Sequence, residues 1–154
     1  MSSDLWSFSL STYARPGVEP ACLQLQSAGI NVCLLLCGLW LGVRGVACNE
    51  HRLQQLRSVA EPWDTDVVSP LRALRVNWKV VAADDGELNA LREQVKALEL
   101  EAERHLLVRL ERSALSWPQG EATDLSAWLE GVTAGAVHLD RDALHQLRVA
   151  VSST

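Results

Sequence analysis

Apolar side chains recur along this chain at intervals of three and four, the period of an α-helix, over nearly its whole length. A first helix is expected over residues 4–14, capped by Ser3, with Leu5, Phe8 and Tyr13 or Thr12 turned inward. Arg15-Pro16-Gly17 ends it. Residues 18–27 read as a second helix, with Pro20 in the tolerant first turn and Gly29 as the stop. The run INVCLLLCGLWLGV is apolar on every side and makes a third helix, capped by Asn31 and closed by Gly42 and Gly45. A helix of that kind belongs at the centre of a fold.

Asn49 caps a fourth helix to about residue 59, with Leu53, Leu56 and Val59 or Ala60 on one side. Glu61-Pro62 carries the start signal of a fifth, and Ser69-Pro70 repeats it, so a kink or break is expected there. Beyond it Leu71, Leu74, Trp78 and Val81 form an inward stripe. Asp84 with Glu87 resembles a capping box for the longest helix, residues 87–115. Its seam runs through Leu88, Leu91, Val95, Leu98 and Ala102, then broadens through Leu100, Leu106, Leu107 and Leu110. After the breaker Trp117-Pro118-Gln119-Gly120, two short helices are expected at 124–132 and 140–151, joined by GVTAGAV. The reading is all-α: an irregular bundle around the apolar helix at about 31–41, clasped by helices at 70–82 and 87–115. All 154 residues form one domain, with 118–151 as a helical extension.

Composition narrows the function classes. A chain of this size buries roughly two-thirds of its unfolded surface, and 48% hydrophobic against 21% charged residues is a globular balance. The six tryptophans, Trp6, Trp40, Trp63, Trp78, Trp117 and Trp128, are spread like anchors for successive elements. No element carries the aromatic stripe on which bases would stack. The net charge of -5 also argues against nucleic acid. Charge is segregated: residues 44–79 hold six cations against four acids, and residues 84–130 hold eleven acids against five cations. That suits docking of one segment on another, or on a protein partner.

The third helix offers 12 residues between Asn31 and Arg44, about 18 Å at 1.5 Å per residue, short of a hydrocarbon core of about 30 Å. It reads as core rather than membrane span. MSSDLWSF has neither a basic n-region nor an apolar h-region, so no signal peptide is expected. A cytoplasmic location follows, with the cysteines kept as thiols.

Cys33, Cys37, Cys48 and His51 are the residue types that close a tetrahedron around zinc, and Cys48-x-x-His51 has a usable spacing. Yet Cys33 and Cys37 lie one turn apart in an apolar helix, where burial opposes the thiolate. The favoured reading is therefore core packing with no cofactor, and zinc is the alternative. His138, Asp140, Asp142 and His145 form a weaker cluster, whose acids a helix N-terminus explains. Glu101 and His105 stand at i, i+4, but the chain has no Glu-x-x-His of the di-iron bundles. Arg72, Arg75 and Lys79 share a face beside Trp78 and are expected to meet the long helix at Glu93, Glu99 and Glu103. No G-x-S-x-G, Walker A or G-x-G-x-x-G occurs. The balance favours a small non-catalytic protein-binding or adaptor protein, with Trp63, Arg72, Arg75, Lys79 and Trp117 as partner-contacting residues. Trp63 and Trp117 each adjoin a proline. The runner-up is a thiol or metal-site protein.

Four blocks, DLWSFSLSTYARPGVEPACLQLQ, NVCLLLCGLWLG, SPLRALR and ELEAERHLL, resemble in order and spacing a family of small gammaproteobacterial proteins known as a domain of unknown function. The resemblance covers about residues 4–115. It implies a cytosolic, all-helical bacterial protein and supplies no activity, ligand or site residue.

Overall fold

The computed structural model describes residues 4–136 and 138–152, and all of its regular structure is helical. Ser3 and Val137 lie outside the described residues, and with them the expected Ser3 cap. Helix α1, Leu5–Tyr13, is capped by Asp4, whose carboxylate accepts the Ser7 N–H at 2.7 Å. Helix α2, Val18–Ser27, is entered through Gly17 at φ +83°, a conformation suited to glycine. Helix α3, Val32–Val43, takes its cap from Asn31, which accepts the Leu34 N–H at 3.1 Å.

Helix α4, Glu50–Trp63, runs straight through Pro62, so the fresh start expected there does not form. A π-helical segment follows, Asp64–Val68, and leads without a break into α5, Ser69–Ala82. The Ser69 N–H bonds the Asp64 carbonyl, one residue further back than in an α-helix. This widened turn carries the chain past Pro70, which has no N–H to return to its own i−4 carbonyl. The expected break is absorbed as a bulge. Helix α6, Gly86–Ala114, is capped by Asp85 rather than Asp84, with Leu88 N–H donating to its carboxylate at 3.1 Å. Helices α7, Leu125–Val132, and α8, Arg141–Ser152, complete the chain.

Helix α3 is the centre, as its composition predicts: every residue from Val32 to Leu41 is buried. The clasp differs from expectation. Helices α7, α6, α1, α4 and α8 surround α3, while α5 packs on α6 and the π-helical segment. Trp128, Leu129, Val132, Leu144 and Leu147, from the part read as an extension, join the same core as Leu5, Leu35 and Leu110. Because α4 and α5 form one continuous rod, α5 is carried away from α3. It therefore stands out from the body as a hairpin with the first half of α6.

That placement overturns two expected inward stripes. Of the α5 stripe, Leu74 and Val81 stay 40% and 59% exposed, and of the α6 seam Leu91 and Leu98 stay 51% and 56% exposed. Only from Glu99 onward does α6 meet the core, burying Ala102, Leu106, Leu107, Leu110 and Ala114. Among the described residues no helix is long and apolar enough to cross a membrane.

Candidate functional site

The cysteine and histidine candidates are not brought together. Among the described residues no three His, Cys, Asp or Glu side chains form a group that could hold a metal ion. Cys33 and Cys37 are buried in α3 and Cys22 in α2. Desolvation drives the Cys33 and Cys37 thiols far above their ordinary range and Cys22 to about 12. Cys48 is half-buried ahead of α4, its N–H donating to Asp124 at 2.8 Å, and His51 is exposed. In the C-terminal cluster Asp140 accepts the Ala143 N–H at 3.0 Å, the capping role its position predicts. Glu101 and His105 make a 3.6 Å contact on the exposed side of α6.

The candidate partner residues are largely engaged within the fold. Arg75 places Nε 2.5 Å and Nη2 3.2 Å from the two Glu99 oxygens, and Arg72 Nε lies 3.4 Å from Glu99 Oε2. The expected docking of the α5 cations on the acidic helix is thus seen at Glu99, with Lys79 left exposed. Trp63 is half-buried, its Nε1–H donating to the Ala102 carbonyl at 2.8 Å with the Arg109 guanidinium 4.0 Å above its ring. Trp117 stacks on buried Trp128 at 6.1 Å and lies under Arg52.

The feature that periodicity did not single out is a groove of about 320 Å³ between α1, α2, α3 and the middle of α6, lined also by Arg75 of α5. Three helices each turn one face to it. Helix α1 presents Trp6, Ser9, Leu10 and Tyr13, α3 presents Val32, Cys33 and Leu36, and α6 presents Lys96, Glu99, Leu100, Glu103 and Leu107. The α1 and α6 sets follow i, i+3, i+4, i+7 spacing, which aligns side chains on one side of a helix. Cys33 donates its thiol hydrogen to the Glu103 carbonyl at 3.7 Å, tying α3 to α6 beneath the groove.

Two polar groups there are incompletely met. Ser9 is 4% exposed, and its hydroxyl has no hydrogen-bond partner. Glu103 faces the groove beside Glu99, whose carboxylate both arginines engage. Desolvation first, and the neighbouring Glu99 charge second, push the Glu103 carboxyl up to about 7. A larger cleft of about 730 Å³ lies between the α2–α3 turn, α4 and the approach to α8. There Arg57 is spent on the Gly131 carbonyl, and none of the lining side chains is a buried orphan. The groove is the better candidate. A second stripe on α6, through Lys96, Leu100, Glu103 and Leu107, was its sequence signal, beside the seam rather than on it.

The chain belongs to a family described as proteins of unknown function (DUF2390), whose profile matches residues 4–110. That span takes in α1 to α5 and nearly all of α6, and so every element lining the groove. No curated protein and no solved structure matches the chain.

Proposed function

We propose that this member of the DUF2390 family is a small cytoplasmic, non-catalytic protein-binding protein that engages its partner through one flank of the α5–α6 hairpin. The observation that carries the reading is the exposure of Leu74, Val81, Leu91 and Leu98. Leu74 directly precedes Arg75 and Leu98 directly precedes Glu99, the ion pair that marks the α5–α6 interface. In an antiparallel pair, equal rotation away from the interface brings both residues to the same flank. Val81 and Leu91 stand seven residues further toward the hairpin tip and extend the strip. A contiguous apolar strip of this kind marks an interaction surface more often than it persists in water. The four cysteines suit a reducing compartment.

The test is a photo-cross-linking amino acid placed at Leu91 in the native host, with Val149 on α8 as an equally exposed apolar control. The reading expects one discrete adduct from position 91, lost when Leu98→Lys is added, and none from position 149. Equal labelling from both positions, or no adduct from either, overturns it.

A further inference from the structure

The groove has the chemistry of a ligand site separate from the hairpin flank. Its walls are apolar on three sides, from Leu10, Val32, Leu36, Leu100 and Leu107. Its volume of about 320 Å³ falls at the lower end of the range for small-molecule pockets, about 300 to 1,000 Å³. Of its charged lining, Arg75 is committed, together with Arg72 behind it, to Glu99, and Lys96 is paired with Glu93 at 3.4 Å. Among the described residues no side chain lies within ion-pair distance of Glu103. Ser9, on the facing wall, is the buried hydroxyl without a partner.

We propose that this groove binds a small organic ammonium ion, an apolar chain or ring carrying one cationic amine, with the amine set between Glu103 and Ser9. A carboxylate and a hydroxyl oxygen are both acceptors, and an alkylammonium brings three donors and a positive charge. The cations lining the groove, Arg75 and Lys96, are already paired with Glu99 and Glu93, so an anion would meet the unpaired carboxylate of Glu103. A bare metal ion would find one free carboxylate and too few oxygen ligands. The apolar walls take the hydrocarbon part.

The groups facing Glu103 support the charge assignment. Arg72 and Arg75 on α5 lower its carboxyl, while Glu99 on its own helix and Asp64 in the π-helical segment raise it. Tyr13 on α1 and Cys33 on α3 are neutral, each with its own proton held more tightly by burial. Burial outweighs the two arginines, leaving the carboxyl at about 7. A bound ammonium supplies the missing counter-charge and expels the proton. Affinity should therefore rise from pH 6 to pH 8, a range over which an alkylammonium stays charged.

The experiment is isothermal titration calorimetry of the intact chain with n-octylamine, with n-octanol and octanoate as controls of equal length. The expected result is saturable one-site binding of the amine, with octanol weaker by roughly tenfold or more. Proton release should appear at pH 7 in buffers of different ionisation heat. Glu103→Gln should bring the amine down to the octanol level while octanol still binds saturably, which shows that the groove is intact. Ser9→Ala should weaken the amine. Equal affinity for amine and octanol, or amine binding unchanged in Glu103→Gln, overturns the proposal, and so does the absence of any amine binding. None of these outcomes depends on a partner at the hairpin flank.

Discussion

Arg75 and Glu99 face one another across the hairpin as a two-bond ion pair, Nε to Oε1 at 2.5 Å and Nη2 to Oε2 at 3.2 Å, and Arg72 shares the same carboxylate. Glu99 is 6% exposed while the two arginines are about a quarter exposed. Removing the acid strands two guanidinium groups at a partly wet boundary. Glu99→Ala should cost about 2 kcal/mol, below the 3–5 kcal/mol typical when a fully buried pair is broken. Replacing both partners with apolar residues, Arg75→Met with Glu99→Leu, should cost less than Glu99→Ala alone. Urea denaturation of the three proteins measures the difference. A double variant weaker than the single one would show that the pair contributes net stability beyond its own desolvation.

The carboxyl of Glu103 makes stability depend on pH in a direction opposite to the usual acid. Its pKa is raised from 4.5 to about 7 on folding. Between those values the folded chain binds more protons than the unfolded one, so stability falls as pH rises through the window and levels off above it. The loss attributable to this group is on the order of 3 kcal/mol between pH 4.5 and 8. Glu103→Gln should match the wild type near pH 4.5 and exceed it at pH 8. Guanidinium unfolding at the two pH values checks this, and a variant equally destabilised at both would refute it.

What the sequence made legible were the features that neighbours along the chain decide. The Asn31 cap, the bounds of α2 and the centrality of α3 all follow from short-range bonds or from a helix apolar all round. Proline at 62 misled because a missing N–H is compatible with both a helix start and a bulged interior. Packing along the rod selects between them. The stripes at Leu74 and Leu98 identified residues sharing a side of a helix, but period alone carries no statement of whether another element covers that side. The groove was illegible for a third reason. Trp6, Ser9, Cys33 and Glu103 lie far apart in sequence, and only the packing of α1 and α6 around α3 makes them neighbours.

Thiol reactivity follows from burial. Cys22, Cys33 and Cys37 are buried with strongly raised thiols, while half-buried Cys48 is raised by desolvation and by the Asp124 and Glu50 charges, against Arg52. Iodoacetamide at pH 8 should therefore label the native protein slowly at Cys48 and scarcely at the other three, and all four should react in denaturant. Peptide mass spectrometry resolves the sites. Protection of Cys48 that a chelator relieves would revive a metal at that thiol.

Gly42 tests the packing of α3 against α7. It reads as a helix stop, but it lies inside α3, one turn after Gly38, on the side where α7 crosses. A Cβ on Gly42 would stand 2.7 Å from Leu125 Cδ1 and 2.8 Å from Leu125 Cα. The first contact can be relieved by a rotamer change. The second is backbone, so α7 itself has to move, straining the 2.8 Å bond from Trp128 Nε1–H to the Val46 carbonyl. At Gly38 the nearest atom is Val132 Cγ1 at 3.2 Å, a side-chain methyl that can give. Alanine is the better helix former by about 1 kcal/mol, which favours both substitutions before packing is counted. Overpacking costs about 1–3 kcal/mol, and only Gly42 meets backbone closer than ordinary contact, since the Trp128 carbonyl stands 3.7 Å from a Cβ at Gly38. Gly42→Ala should therefore lower the melting temperature and shift the Trp128 fluorescence, whereas Gly38→Ala should leave stability within about 1 kcal/mol of the wild type. A Gly42→Ala protein as stable as the parent would mean that α7 does not approach α3 this closely, and the C-terminal helices would then have no fixed seat on the core.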